Sequence, residues 1–266
     1  MTASLNALAV LNAATPDAKV KAAKHLAQEW AASQDVGAYI ENVPDTPARP
    51  EKPELVAPSD VKRRRLGTPA GRCALLHAVA HIEFNAIDLA ADMIARFGHH
   101  PDIPEADRNA FIADWISVCN DEARHFGLLQ TRLAEFGMSY GDLPAHNGLW
   151  EAAVKTKSNF AARLAIAPMV LEARGLDVTL GMIEKLTSVG DTESADILKI
   201  IYNDEIGHVA IGARWFQTLA RIRGQEPESW FHHLVGSYYA GQLKPPFNVQ
   251  ARTLAGLKQG FYIPLS

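Results

Sequence analysis

Cysteine is scarce in this chain. Cys73 and Cys119 are the only two in 266 residues, far apart and in apolar helical surroundings. No disulfide framework is expected, and a reducing, cytoplasmic setting follows as the default. An excess of positive charge is also missing. Lys and Arg number 26 against 30 Asp and Glu, which is no general signature for binding polyanions. No apolar run approaches a membrane span, and the first residues lack a basic stretch followed by a long apolar one, so no membrane partner is expected. No glycine-rich phosphate loop appears, and neither does a nucleophile elbow nor a Ser-His-Asp order. Apolar material, by contrast, is plentiful: 48% of residues are hydrophobic. That suffices for one large domain, or one domain with decorated ends.

Two short strings organise the rest. Asn120-Asp121-Glu122-Ala123-Arg124-His125 and Asn203-Asp204-Glu205-Ile206-Gly207-His208 share the pattern N-D-E-x-x-H. Within each, Glu and His are three residues apart and leave the same face of a helix. A helix pair carrying one such motif each supplies half of a dinuclear metal site in a four-helix bundle. A single Glu from each of the other two helices supplies the remainder. Glu83 and Glu172 are in the right order to be those residues.

Periodicity places all four on helices. Residues 71–97 carry an apolar stripe through Leu76, Val79, Ile87 and Ile94, with Glu83 at its middle and Gly98 as the stop. A lone carboxylate buried there costs several kcal/mol unless it is neutralised or liganded. Pro104 and Glu105 open the second helix, running to Phe136, with Glu122 and His125 replacing core residues on its stripe. Residues 137–150, rich in Gly and Pro, read as a long crossover of the ferritin-like kind. The third helix is expected over 151–188 around Glu172, with a kink or restart at Pro168. The fourth is expected over 192–223 around Glu205 and His208. The two halves also repeat: Glu83 and Glu172 share Glu-x-x-x-(Ile or Leu)-Asp, ending in Asp88 and Asp177, as duplication of a helix hairpin would generate.

The flanks differ in character. Residues 1–35 read as a helical appendage broken at Thr15-Pro16, and 36–70 as a proline-rich arm. Inside the arm, Lys62-Arg63-Arg64-Arg65 is read as a solvated charge cluster rather than a phosphate contact. Pro227 opens a further helix, followed by a tail with one more helical piece over Val249–Gln259. That tail can pack over the bundle, lid a site or join subunits as a homodimer.

Four Glu and two His form a hard, oxygen-rich donor set that favours Fe or Mn. Four carboxylates balance two divalent ions, which removes the burial penalty on every Glu at once. The expected ligands are Glu83, Glu122, His125, Glu172, Glu205 and His208, holding two Fe ions, with Fe/Mn and Mn/Mn as alternatives. Glu122 and Glu205 would bridge or chelate, and Glu83 and Glu172 would be terminal. Asp121 and Asp204 are expected either to accept a hydrogen bond from a ligating His ring or to make contacts within their own helices. His77, His81, Tyr202 and Cys119 are read as packing residues rather than ligands.

This ordered series resembles the ferritin-like di-iron carboxylate proteins over about residues 71–223. More narrowly, Leu66-Gly67-Thr68-Pro69, His81-Ile82-Glu83, Glu172-Ala173-Arg174-Gly175-Leu176-Asp177 and Pro246-Phe247-Asn248 are similar to a bacterial ferritin-like family without an assigned reaction. The ligand order is also that of a tRNA-modifying di-iron hydroxylase. The resemblance implies an all-α, ferritin-like four-helix bundle with N- and C-terminal helical extensions. It further implies an O2-activating oxidoreductase acting on an organic substrate, small or macromolecular. Lacking the Cys-x-x-Cys pairs of rubrerythrins, such an enzyme needs an external electron donor. A ferroxidase or iron-binding protein and a metal-stabilised scaffold are the alternatives. Nucleic acid is disfavoured as a partner by the acidic balance.

Overall fold

The computed structural model describes residues 1–61 and 64–266. Lys62 and Arg63 of the basic run lie outside the described residues. The chain forms two compact units, one of residues 1–151 with 185–197, the other of 152–184 with 198–266. Every regular element among the described residues is helical, and the one β-type contact is an isolated bridge between Leu55 and Ala145.

The first unit starts with α1 (Ala3–Asn12) and α2 (Pro16–Ser33), each opened by a threonine whose hydroxyl accepts a backbone N–H of its first turn. The same chemistry opens α3 (Pro69–Phe97), where Thr68 caps Gly71 and Pro69 takes the first helical position, which needs no N–H. A seven-residue turn leads to α4 (Glu105–Glu135), whose acidic first turn suits the positive end of the helix dipole. The hairpin of α3 and α4 is antiparallel. Cys119 Sγ reaches Ile87 O, the Phe84 ring packs at a tilt against Phe126, and His125 meets Glu83, so sequence positions converge from opposite directions. Helices α1 and α2 pack across it.

α3 is buried on nearly every side, which its apolar stripe alone does not explain. Its other face carries His77, His81, Asn85, Asp88 and Asp92, all buried and all bonded. Gly141 N–H donates to His77, Tyr140 Oη lies 2.9 Å from His81 Nδ1, and Arg49 donates to Asn85 at 2.6 Å. Lys19 binds Asp88, and Arg96 binds Asp92. The proline-rich arm is therefore strapped down. Arg96 holds Pro44 O, Trp150 Nε1 holds Asp45 O, and Val56 pairs with Ala145. His77 and His81 are satisfied interior histidines, as their position off the apolar stripe suggested. Among the described residues, only α3 is long and apolar enough to cross a membrane, and 72% of its apolar window is buried inside the protein.

The third long helix expected from the sequence is interrupted. It comprises α5 (Gly148–Lys155), then α6 (Phe160–Ile166), a π-helical turn over Ala167–Glu172, and α7 (Ala173–Ser188). Asn159 caps the restart through Ala162 N–H, and the fully buried Arg163 ties back to Thr156 and Ala153 O, which stabilises the break. The irregularity foreseen at Pro168 is the π turn, since proline offers no N–H to the regular ladder. α8 (Thr192–Ile222) follows. α9 (Pro227–Tyr238) lays Phe231 against Phe216 and Phe261. The last helical piece ends early: α10 (Val249–Leu254) stops at Gly256, whose φ of +76° suits glycine, before the short α11 (Gln259–Tyr262).

Candidate metal centre

In the first unit, α3 and α4 bring three of the expected ligands together. Glu83, Glu122 and His125 are all buried, and each offers a ligand atom within 4.8 Å of the others. His125 Nδ1 lies 3.1 Å from Glu83 Oε2 and 3.5 Å from Glu122 Oε2. The pair on α4 is one turn apart, and Glu83 comes across the antiparallel hairpin. Burial alone would push the His125 imidazole down. Its hydrogen bonding to Glu122 and Glu83 outweighs that and holds its pKa up at about 11. A proton on His125 thus offsets part of the charge of two interior carboxylates, and a divalent metal ion is the natural replacement for it. The donor set fits a transition metal that accepts oxygen and imidazole together.

The second unit repeats the motif. His208 is buried, and its Nδ1 lies 3.5 Å from Glu205 Oε1 one turn earlier on α8. Glu172 closes the π turn, a geometry that recurs at functional sites. Gly212, one turn beyond His208, stands where any Cβ would come within 2.3 Å of the Pro168 ring, so the π turn sits tight against α8. Asp121 Oδ1 lies 3.5 Å from Arg124 on its own helix. Cys119 is fully buried against the α3 backbone, and burial, reinforced by Asp88 and Glu122, pushes its thiol far up, as suits a packing residue. Tyr202 bonds Asn248.

Two residues outside the expected set prove to be built into both halves. The aspartates that end the repeated pattern, Asp88 and Asp177, are each bound by a buried cation, Lys19 in one unit and Arg252 in the other. The repeat made the aspartates visible in the sequence. Their partners lie far away along the chain, and no local pattern marks them.

The chain matches, over residues 12–263, the model of a family described as a protein of unknown function, DUF455. It belongs to that family. An uncharacterized protein of Haemophilus influenzae is 44% identical over 212 residues, covering 80% of this chain and 74% of its own. No solved structure matches. Within DUF455, then, this chain offers a buried group of Glu and His able to bind a metal ion.

Proposed function

We propose that this DUF455 protein is a dinuclear-metal oxidoreductase built on a ferritin-like four-helix bundle. The observation that carries the reading is the buried Glu83, Glu122 and His125, with ligand atoms within 4.8 Å of one another, whose motif recurs at Glu172, Glu205 and His208. The six residues together would hold two ions, Fe by preference, with Fe/Mn or Mn/Mn as alternatives. Bound there, such a pair supplies O2 reduction coupled to oxidation or hydroxylation of an organic substrate.

The chain's own groups have definable work. Glu83, Glu122, Glu172 and Glu205 would supply the carboxylates that hold the ions. His125 and His208 each present one imidazole, and Asp121 and Asp204 steady the ligating motifs from the neighbouring position. All three residues of the first trio are buried, which keeps bulk water from them. A groove of about 830 Å³ runs along a face of α8 through Gly207, Arg214 and Arg221, walled opposite by Leu254 and Gly256, and has the volume of a ligand site. With both cysteines buried and separate, electrons must come from an external donor.

Anaerobic loading with ferrous iron, followed by exposure to O2, tests this reading. The expected result is stoichiometric O2 consumption with growth of near-ultraviolet ferric absorption. Tightly bound iron that stays inert to O2 would instead leave a metal-stabilised scaffold, and assembly into a cage would indicate a ferroxidase.

A further inference from the structure

The repeated Glu-x-x-x-(Ile or Leu)-Asp pattern has a structural outcome in both units, and it is the same outcome. On a helix, a residue five positions on emerges about 140° around the axis. Asp88 and Asp177 therefore leave the far flank of the helices that carry Glu83 and Glu172. Both are completely buried there. Each meets a buried cation that comes from chain outside the four ligand-bearing helices.

In the first unit the cation is Lys19 on α2. Its Nζ donates to Asp88 Oδ1 and, at 3.0 Å, to Val10 O at the end of α1. In the second unit it is Arg252 on α10. Its Nε and Nη2 form a two-pronged bond to Asp177, at 2.8 and 2.7 Å. The guanidinium also packs against the adjoining rings of Tyr262 and Phe247, at 4.5 and 5.1 Å from their centroids. The same tail adds Asn248, whose N–H reaches Asp177 and whose amide reaches Leu176 O, while Arg174 binds Lys244 O and Pro246 O. The two short strings around Asp177 and Asn248 are thus the two faces of one clasp. An ion pair buried without a reason is neutral or costly compared with apolar packing, so a matched pair of them calls for a role in specificity.

We propose that Lys19 and Arg252 are paired positioning residues, each using its terminal extension to fix the rotation of the helix that carries the ligand Glu83 or Glu172. The extensions are then parts of the metal site rather than ornaments. Apolar packing is non-directional, and on a helix buried on nearly every side, as α3 is, it sets the rotation only weakly. A hydrogen-bonded ion pair on the far flank fixes it. This inference rests on the dinuclear reading above.

The test uses the full-length protein and Co2+ as an optical probe, with chelator competition for affinity. In Lys19→Met/Asp88→Leu and Arg252→Met/Asp177→Leu, both charges of a pair are replaced by apolar groups, an exchange that leaves a fold standing. Far-ultraviolet circular dichroism and the thermal midpoint of the metal-free proteins check this. Each folded variant is expected to bind one of its two ions about tenfold to a hundredfold more weakly, with an altered d–d spectrum. Arg252→Lys, which keeps a cation on Asp177, is expected to restore most of the affinity. Wild-type affinity and spectrum in both folded double variants would overturn the proposal. Wild-type protein that takes up no metal would overturn the dinuclear reading instead, so the two failures are distinct.

Discussion

At the level of single residues, the chain separates two kinds of buried polar group. Glu83, Glu122 and His125 balance one another at the candidate centre, while His77 and His81 on the opposite flank of α3 are neutral and fully used. Burial lowers the His77 pKa, and burial followed by the nearby Arg49 guanidinium lowers that of His81 from 6.5 to about 4. A depressed folded-state pKa means that the unfolded chain takes up protons first as pH falls. The stability is complete above pH 6.5 and is lost between there and about pH 4, by roughly 3 kcal/mol for His81 alone. His125, with its raised pKa, adds stability as pH falls toward 6.5 and offsets part of this loss, so unfolding free energies by urea at pH 7.5 and 5 should show a smaller net fall. His77→Gln, which keeps an acceptor for the Gly141 N–H but cannot titrate, should flatten the slope. Gly212 offers a second residue-level test. Gly212→Ala forces a Cβ onto Pro168 and should destabilise the protein by about 1–3 kcal/mol in the same assay, whereas an unchanged midpoint would mean the π turn is not pressed against α8.

Among elements, legibility follows the range of the interactions that make them. Helix ends were readable wherever a local signal sets them. Glu105 starts α4 and Gly98 follows α3 as expected, while α3 begins two residues before the expected Gly71, at Pro69 behind the Thr68 cap. The interruption of the third helix was not readable at residues 156–159. No Gly or Pro stands there, and the break is held by Arg163 reaching back to Thr156. The polar flank of α3 was invisible for a similar reason, because its partners Lys19, Arg49, Tyr140 and Gly141 come from remote segments. Pro168 was legible as an irregularity, though not as a π turn. Its replacement makes an element-scale prediction. Pro168→Ala returns an N–H to the ladder and lets the turn relax toward a regular α-helix, so thermal stability should hold or rise by up to about 3 kcal/mol. The relaxed turn rotates Glu172, and metal affinity should fall. Unchanged affinity in a stabilised variant would separate the π turn from the site.

On the scale of the whole molecule, the halves are variations on one plan: a hairpin with Glu on its first helix, Glu-x-x-His on its second, and an aspartate gripped by an outlying cation. The ligand motifs could be read from the sequence because helical spacing is local and because charged groups at mid-stripe violate core patterning unless something compensates them. The grip of the extensions could not, because it joins residues far apart in sequence, 69 positions from Lys19 to Asp88 and 75 from Asp177 to Arg252. Both features converge on the claim that acid and imidazole groups in the interior are there to bind metal. The most direct check is elemental analysis of protein purified from iron- and manganese-replete cells without added metal, alongside Glu122→Ala and Glu205→Ala. The account predicts about two transition-metal ions per wild-type chain and a clear loss of metal in both variants. Metal-free wild-type protein, or full metal content in either variant, would contradict it.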